Sequence, residues 1–149
     1  MPKINLGCGY RKIDGCVNLD NRASVLPDIT ADVESGLPFS DNSIDEVIAV
    51  DFLEHIPIGK TIFVVEEIHR VLKPGGSFIH MTPSTDGRGA FQDPTHKSFW
   101  NSNSWLYYMD DSYRDLYGIK AKFSGSIQDV VTDRELKVIH TRGILTAVK

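Results

Sequence analysis

The sequence predicts one α/β domain, residues 1–149, built on a mostly parallel β-sheet whose closing strands are antiparallel. Short apolar runs alternate with a marked amphipathic segment through the first 82 residues, and such strand–helix alternation is typical of a parallel sheet. Two β-rich segments then follow each other directly near the C-terminus, which favours an antiparallel pair. The length of 149 residues is that of one domain.

Four short strands are expected in the first 50 residues. Residues 4–6 form an apolar run that ends at Gly7 and Gly9, which predicts a buried strand entering a glycine turn. Residues 16–20 and 28–33 are the next two candidates, and the first of these ends on Asp20. The run over residues 44–50 is apolar at four consecutive positions, so we expect a strand that is buried on both faces of the sheet.

The clearest helix is expected over residues 60–72, because Val64, Ile68 and Val71 fall on one stripe. It ends before Pro74-Gly75-Gly76, where proline cannot continue a helix and glycine allows the turn. A fifth strand follows over residues 77–82. An aromatic-rich helix is expected over residues 105–117, and the two closing strands over residues 123–131 and 136–148.

Composition excludes several classes of protein. Lys and Arg number 16 against 20 Asp and Glu, a net charge of −4, whereas a non-specific nucleic-acid binder needs a basic face. Cys8 and Cys16 form no CxxC pair, which indicates a reducing compartment. No secretory signal and no run of about 20 apolar residues is visible. These features predict a cytoplasmic protein that binds neither nucleic acid nor membrane.

Glycines and acidic residues recur where the predicted parallel strands end. Gly7 and Gly9 follow the first strand, Asp20 the second, Asp32 the third and Asp51 the fourth. Ligands of such sheets bind outside the carboxyl ends of the strands, and a carboxylate there can accept the hydroxyls of a ribose. Each feature alone has an ordinary structural explanation, since glycines make turns and acids are often solvated. Their ordered recurrence predicts a nucleoside site.

Longer motifs carry a family resemblance. Asn5-Leu6-Gly7-Cys8-Gly9, Val17-Asn18-Leu19-Asp20, Leu53-Glu54-His55-Ile56 and Arg70-Val71-Leu72-Lys73-Pro74-Gly75-Gly76 occur in this order. Together they resemble class I S-adenosylmethionine-dependent methyltransferases over about residues 4–84, with the greatest similarity to small bacterial and phage members. Each motif alone is weakly specific, whereas the combination is highly specific. The resemblance implies a Rossmann-like sheet, S-adenosylmethionine as cofactor and S-adenosylhomocysteine as product.

The resemblance also implies the cofactor contacts, which all lie in the turns that follow the first four strands. The implied residues are Asn5, Gly7, Cys8 and Gly9 for the methionine part, Asp20 and Asn21 for the ribose, Asp32 and Val33 for the adenine, and Asp51 and Phe52 for the sulfonium end. The Pro-Gly-Gly turn is expected to be structural.

The sequence departs from the family pattern at three points. Asn5 stands where the family usually has Asp, and Arg11 stands where a third glycine is usual. Asp20 follows Gly9 by only 11 residues, whereas about 20 are usual, so we expect the first crossover helix to be lost or reduced to a turn at residues 10–14. The first predicted strand begins at residue 4, so the helices that usually precede it in the family are not expected here. This minimal fold favours weak cofactor binding, or dependence on a partner subunit or homo-oligomer.

The implied reaction is methyl transfer to a small molecule, such as a sugar or another compound with a hydroxyl or amino group. A hydroxyl nucleophile needs a base, and the ordinary pKa of histidine, about 6.5, suits that role. We favour His96 as the base, oriented by Asp93, with His55 as an alternative that positions the cofactor. The other histidines, His69, His80 and His140, are interpreted as structural. No metal is expected, because Asp51, His55, Asp93 and His96 lack the spacing of metal ligands.

Alternative functions remain open at this stage. A nicotinamide-dependent oxidoreductase is disfavoured by the missing third glycine. A nucleic-acid methyltransferase is disfavoured because the residues after the fourth strand, Asp51-Phe52-Leu53-Glu54, lack the Pro-Pro-aromatic run. The serious rival is a non-catalytic methyltransferase-like subunit or regulator. The aromatic loop that contains Trp100 and Trp105 forms either a substrate lid or simple packing over the sheet.

Overall fold

The computed structural model describes all residues, 1–149, and contains one seven-stranded sheet. The strands are β1 (Lys3–Leu6), β2 (Val17–Asp20), β3 (Ile29–Thr30), β4 (Ile44–Val50), β5 (Leu72–Pro83), β6 (Phe123–Asp133) and β7 (Val138–Ala147). Their order across the sheet is β3-β2-β1-β4-β5-β7-β6. The first five are mutually parallel, and β7 is antiparallel to both β5 and β6. The predicted fold class is confirmed.

Four α-helices accompany the sheet: α1 (Thr61–Val71), α2 (Gly89–Gln92), α3 (Leu106–Met109) and α4 (Asp111–Tyr117). The continuous helix expected over residues 105–117 is wrong, because it is interrupted at Asp110. That residue has an extended backbone (φ −94°, ψ 125°), and its carboxylate accepts a 2.9 Å hydrogen bond from the backbone N–H of Ser112, which begins α4 anew. None of the helices has the length and apolar character that a membrane crossing needs.

The two faces of the sheet differ in burial. Ile4, Val47, Phe78 and Leu145 are aligned across four strands and are completely buried against α1 and the aromatic loop. On the other face, Ile48 and Ile79 of the neighbouring row are only half-buried, and Ile144 is 48 % exposed. The expected burial of β4 on both faces is therefore wrong. The connections among the first four strands are turns and single 3-10 turns, which are too short to cover the second face.

The first crossover contains no helix, as predicted from the spacing of Gly9 and Asp20. Buried amide side chains hold it instead. The side-chain amide of Asn5 donates to the carbonyl oxygen of Arg11 and to Oδ1 of Asn18, each at 2.9 Å. Oδ1 of Asn18 also accepts a 2.8 Å hydrogen bond from the backbone N–H of Ile13. These side chains therefore provide hydrogen-bond partners for backbone N–H and C=O groups in a loop that has no regular secondary structure.

Other strands differ in length from their predictions. Strand β3 is confined to two residues, because Asp32 already caps a 3-10 turn over Val33–Ser35. Strand β5 begins earlier than expected, at Leu72. The Pro-Gly-Gly segment forms an irregularity within it, since the pairing shifts from Ile44–Leu72 to Glu46–Ser77. The structural interpretation of this segment agrees with the geometry.

Candidate active site

The carboxyl ends of the parallel strands enclose a cavity of about 460 Å³, a size that suits a small-molecule ligand. Eight of the residues singled out from the sequence line it: Gly7, Asp20, Asn21, Asp32, Val33, Asp51, Phe52 and His55. Lining residues that the sequence did not single out are Leu19, Arg22, Ala31, Glu34, Ile56, Thr95 and Lys97. Each of the seven is adjacent in the chain to a predicted site residue, and this proximity is the sequence signal that could have found them.

Asp20 ends β2 and is 6 % exposed. Its Oδ2 accepts a 2.9 Å hydrogen bond from the backbone N–H of Gly9, and its Oδ1 accepts bonds from the backbone N–H (2.9 Å) and the Nε (3.3 Å) of Arg22. Burial opposes ionisation, but these donors hold the pKa of Asp20 below its ordinary value. Asp20 is thus a preorganised anion. A ribose hydroxyl can take the place of the Arg22 side chain, which is largely exposed.

Gly7 and Phe52 are in direct contact at the floor of the cavity. Gly7 has φ +60°, a conformation that L side chains rarely adopt. A Cβ atom there would lie 2.2 Å from Cδ2 of Phe52. The ring of Phe52 therefore packs against bare backbone, and only glycine fits between β1 and this ring.

Asp32 and Glu34 bring two more carboxylates to the cavity. One oxygen of Asp32 accepts the backbone N–H of Glu34 at 3.0 Å, which caps the 3-10 turn. The hydrogen bonds of Asp32 leave its second oxygen free for an adenine amino group. Val33 beside it is buried in the core cluster.

Asp51 follows β4 with φ +50° and is held from two sides. Nε2 of His140 donates to its Oδ1 at 2.9 Å, and Nη1 of Arg11 lies 3.3 Å from its Oδ2. The hydrogen bond from His140 lowers the pKa of Asp51, and the charges of His140 and Arg11 lower it further. Together they outweigh burial, which would raise it, so the pKa stays below its ordinary value. His140 was interpreted as structural, yet it contacts a cavity residue. Its pairing with Pro83 across β5 and β7 brings it there.

Three predicted cofactor residues do not line the cavity. Asn5 is buried, and its amide holds the first crossover. Cys8 is buried as well, and its backbone N–H donates to the carbonyl of Leu19 at 3.1 Å. Gly9 acts through its backbone N–H on Asp20. Their part in the site is to shape the glycine turn and to orient Asp20.

His55 and His96 come together at the rim of the cavity. Their ring centroids are 5.2 Å apart and the rings are nearly perpendicular. His55 lines the cavity with a side chain that is 42 % exposed, whereas the side chain of His96 is 6 % exposed behind it. The structure thus joins two candidates that lie 41 residues apart in the chain.

The orientation of His96 differs from the expectation. Its Nδ1 donates to the carbonyl oxygen of Ala90 at 2.9 Å. Oδ2 of Asp93 is 3.6 Å from the other ring nitrogen, Nε2, which is too long for a hydrogen bond. Oδ1 of Asp93 accepts the N–H and hydroxyl of Thr95 instead, at 2.8 and 2.7 Å. The carbonyl of Ala90, rather than Asp93, therefore orients the imidazole.

Glu54 completes this group, and the sequence did not single it out. It is 2 % exposed, and its Oε2 has no hydrogen-bond partner. Burial raises the pKa of Glu54 to about 8, and the charges of Asp51 and Asp93 add to this. Its backbone carbonyl accepts the N–H groups of Lys97 (2.7 Å) and Ser98 (3.1 Å). This pair of bonds ties the segment after β4 to the segment that carries His96.

The aromatic loop packs over the sheet. Trp100, Trp105 and Tyr108 are at most 4 % exposed and belong to the core cluster. Trp105 stacks on the imidazole of His80 with a centroid distance of 4.0 Å, and burial lowers the pKa of His80 to about 3. None of these residues lines the strand-end cavity. Of the two open interpretations of the tryptophans, the geometry favours packing.

Comparison with known families gives one assignment. Residues 6–80, half of the chain, match the family described as methyltransferase domain. The match covers the glycine turn, the acid after β2, the segment after β4 and helix α1. No curated protein sequence matches the chain significantly.

Solved structures share the fold at low sequence identity. The [4+2]-cyclase SpnF is 15 % identical with a TM-score of 0.71, over 99 % of this chain and 74 % of its own. A SAM-dependent methyltransferase from Archaeoglobus fulgidus is 14 % identical with a TM-score of 0.68, over 98 % and 85 %. Burkholderia thailandensis 1,6-didemethyltoxoflavin-N1-methyltransferase, solved with 1,6-didemethyltoxoflavin and S-adenosylhomocysteine, is 12 % identical with a TM-score of 0.69, over 99 % and 71 %. Since these proteins catalyse different reactions, the likeness identifies the fold and not the substrate.

Proposed function

The chain belongs to the methyltransferase domain family and is an S-adenosylmethionine-dependent enzyme, and on that premise we propose that it methylates a hydroxyl or amino group of a small molecule. The observation that carries the proposal is the cavity at the strand ends, lined at one end by Asp20 and at the other by Asp51 and His55. One cavity thus offers a ribose acceptor and histidine chemistry.

The residues of the cavity fit this cofactor. Four carboxylates line it, from Asp20, Asp32, Glu34 and Asp51, and they complement the positive sulfonium and amino groups of S-adenosylmethionine. Gly7, without a side chain of its own, lets the ring of Phe52 pack directly against the glycine turn. The bound cofactor supplies an activated methyl group, which passes to the acceptor atom as its bond to sulfur breaks.

The acceptor has to lose a proton, and we assign this step to the pair His55 and His96. A base must reach the proton that it removes. His55 can do so because it lines the cavity, whereas His96 contacts His55 from behind. His96, the base favoured from the sequence, is therefore proposed to act together with His55. Asp93 is proposed to be a nearby negative charge and not the group that orients His96.

The experiment has two readouts. Calorimetry with S-adenosylhomocysteine is expected to give saturable micromolar binding, and the absence of binding at millimolar concentration would favour the non-catalytic rival. Incubation with S-adenosylmethionine and a panel of sugars, hydroxy acids and amines is then expected to yield S-adenosylhomocysteine and a methylated acceptor by mass spectrometry. Turnover only with an oligonucleotide would contradict the small-molecule proposal.

A partner subunit or homo-oligomer stays a prediction, motivated by the minimal first crossover. Light scattering after size exclusion measures the mass with and without S-adenosylhomocysteine. A monomer that binds the ligand with full micromolar affinity would contradict the need for a second chain.

A further inference from the structure

We propose that Glu54, His55 and His96 bind a divalent first-row transition-metal ion at the rim of the cavity. Each residue offers one ligand atom, and the three atoms all lie within 4.8 Å of one another. Two imidazoles and one carboxylate are a donor set that suits zinc, iron(II) or manganese(II). The sequence does not suggest it, because Glu54 and His96 are 42 residues apart.

His96 already has the hydrogen bonding of a metal ligand. A carbonyl oxygen only accepts hydrogen bonds, so Nδ1 of His96 carries the proton that it donates to Ala90. In the neutral imidazole the lone pair is then on Nε2, on the side of Asp93 and His55. Metal-binding histidines commonly donate their second ring N–H to a backbone carbonyl in this way, which fixes the tautomer.

Glu54 supplies a buried oxygen that has no other partner. Its side chain is 2 % exposed, and Oε2 makes no hydrogen bond. Buried polar atoms are rarely left unpaired, and an ion that the structure lacks is one of the recognised explanations. Oε1 of the same carboxylate lies 4.0 Å from Nε2 of His55. The carboxylate is therefore buried and within reach of both imidazoles.

His55 supplies the movable ligand. Donors on a tetrahedral zinc ion, each about 2.0–2.1 Å from the metal, lie roughly 3.4 Å apart, somewhat closer than they are here. The side chain of His55 is 42 % exposed, and its inward rotation would shorten the distances to the other two ligands. His55 also lines the cavity, so an ion held here would be reachable from the cavity. Three protein ligands with one open position are typical of catalytic sites.

The consequence for the substrate rests on the proposed function. An ion with an open position binds an oxygen nucleophile and lowers its pKa. This makes a hydroxyl compound, rather than an amine, the expected acceptor. With an ion bound, both imidazoles would be ligands, and the acidified hydroxyl would lose its proton to solvent water instead of to His55.

Metal-stripped protein is titrated with MnCl₂ in a calorimeter, because manganese does not favour the thiolates of Cys8 and Cys16. We expect one saturable site per chain. Glu54→Gln and His55→Ala should each weaken Mn²⁺ binding by at least about tenfold, the lower end of the loss seen even for outer-shell residues. Glu135→Gln removes an exposed acid in the β6–β7 turn and should leave the affinity unchanged. Circular dichroism verifies that each variant is folded.

The outcomes separate the two proposals. Absence of saturable Mn²⁺ binding, or equal affinity in Glu54→Gln, His55→Ala and the unmodified protein, overturns the metal site. Intact S-adenosylhomocysteine binding in that case leaves the proposed function standing. If Mn²⁺ binds at this site but S-adenosylhomocysteine does not, the metal site stands and the methyltransferase proposal fails.

Discussion

Asp20 and Glu54 are two almost completely buried carboxylates of one site, and their ionisation is driven in opposite directions. Asp20 is 6 % exposed and Glu54 is 2 % exposed. The pKa of Asp20 lies below its ordinary value despite burial, because Arg22 and Gly9 donate hydrogen bonds to it. Burial raises the pKa of Glu54 to about 8, and no side-chain or backbone group donates to its Oε2.

Hydrogen-bond donors outweigh burial at Asp20, whereas burial dominates at Glu54, where Oε2 has no donor. The donors to Asp20 lie within 11 residues of it in the chain. Glu54 is enclosed by segments that meet only in the folded protein, and none of them brings a donor to Oε2. One end of the site is therefore a preorganised anion, and the other keeps an unsatisfied ligand atom.

The largest effect is expected from breaking the glycine turn that serves Asp20. Gly7→Ala combines a left-handed backbone with a Cβ atom 2.2 Å from the ring of Phe52. It should lower the free energy of unfolding by about 3 kcal/mol. Gly15→Ala is the matched control, since Gly15 also has a positive φ but nothing within 4 Å, and it should cost only about 1 kcal/mol. Urea denaturation measures both, and equal losses would contradict the contact with Phe52.

The next effect is the pH dependence that Glu54 gives to the free energy of unfolding. The ordinary pKa is 4.5 and the folded value is about 8, so the unfolded chain loses this proton first as the pH rises. Between these values the free energy of unfolding should fall with increasing pH, by about 2 to 4 kcal/mol in total. Glu54→Gln should remove this slope and be more stable than the unmodified protein at pH 8.5. Urea denaturation at several pH values measures this dependence. The same pH dependence in Glu54→Gln and in the unmodified protein would show that Glu54 is ionised when folded.

A smaller effect is expected at the other carboxylate. Asp20→Asn keeps the shape of the side chain but loses the charge that would hold the ribose hydroxyls. S-adenosylhomocysteine should bind roughly tenfold to a hundredfold more weakly, as expected for a hydrogen bond to a charged group. Asp129→Asn removes an acid on β6, far from the cavity in the sheet order, and should bind normally in the same calorimetry. Equal affinity of all three proteins would remove Asp20 from the cofactor site.

The smallest effect is expected at Asp51, which lines the same cavity as Asp20 and His55. His140→Asn removes the donor at 2.9 Å from its carboxylate. Because the side chain of Asp51 is 37 % exposed, water replaces part of that interaction. S-adenosylhomocysteine affinity should fall by only about twofold to fivefold. A loss as large as that of Asp20→Asn would assign His140 a more direct role in binding.

Much of the site was predictable because parallel strands end at one edge of a sheet. Gly7, Asp20, Asp32 and Asp51 each follow a separate strand, and all four line one cavity. The loss of the first crossover helix also followed from residue spacing. The interruption at Asp110 was missed, because helical periodicity continues across it and only its capping bonds reveal the break.

Two site residues were out of reach of pattern analysis for different reasons. His140 contacts Asp51 because of the antiparallel register of β5 and β7, and periodicity does not specify register between distant strands. Glu54 lies in a motif that was recognised from the sequence. What distinguishes it in the structure is its buried Oε2 atom, which has no hydrogen-bond partner. The absence of a partner can be recognised only when every neighbour is in place.

Local sequence patterns were sufficient to place the strands along the chain, the glycine turn and the acids at the strand ends. These features depend on residues within one turn or one strand, where backbone sterics and the alternation of side chains act. Which face of the sheet is covered, which carboxylate is charged and which donor atoms meet around Glu54 were decided by the tertiary structure alone. These properties depend on burial and on tertiary contacts such as that between Glu54 and His96, which are 42 residues apart in the chain.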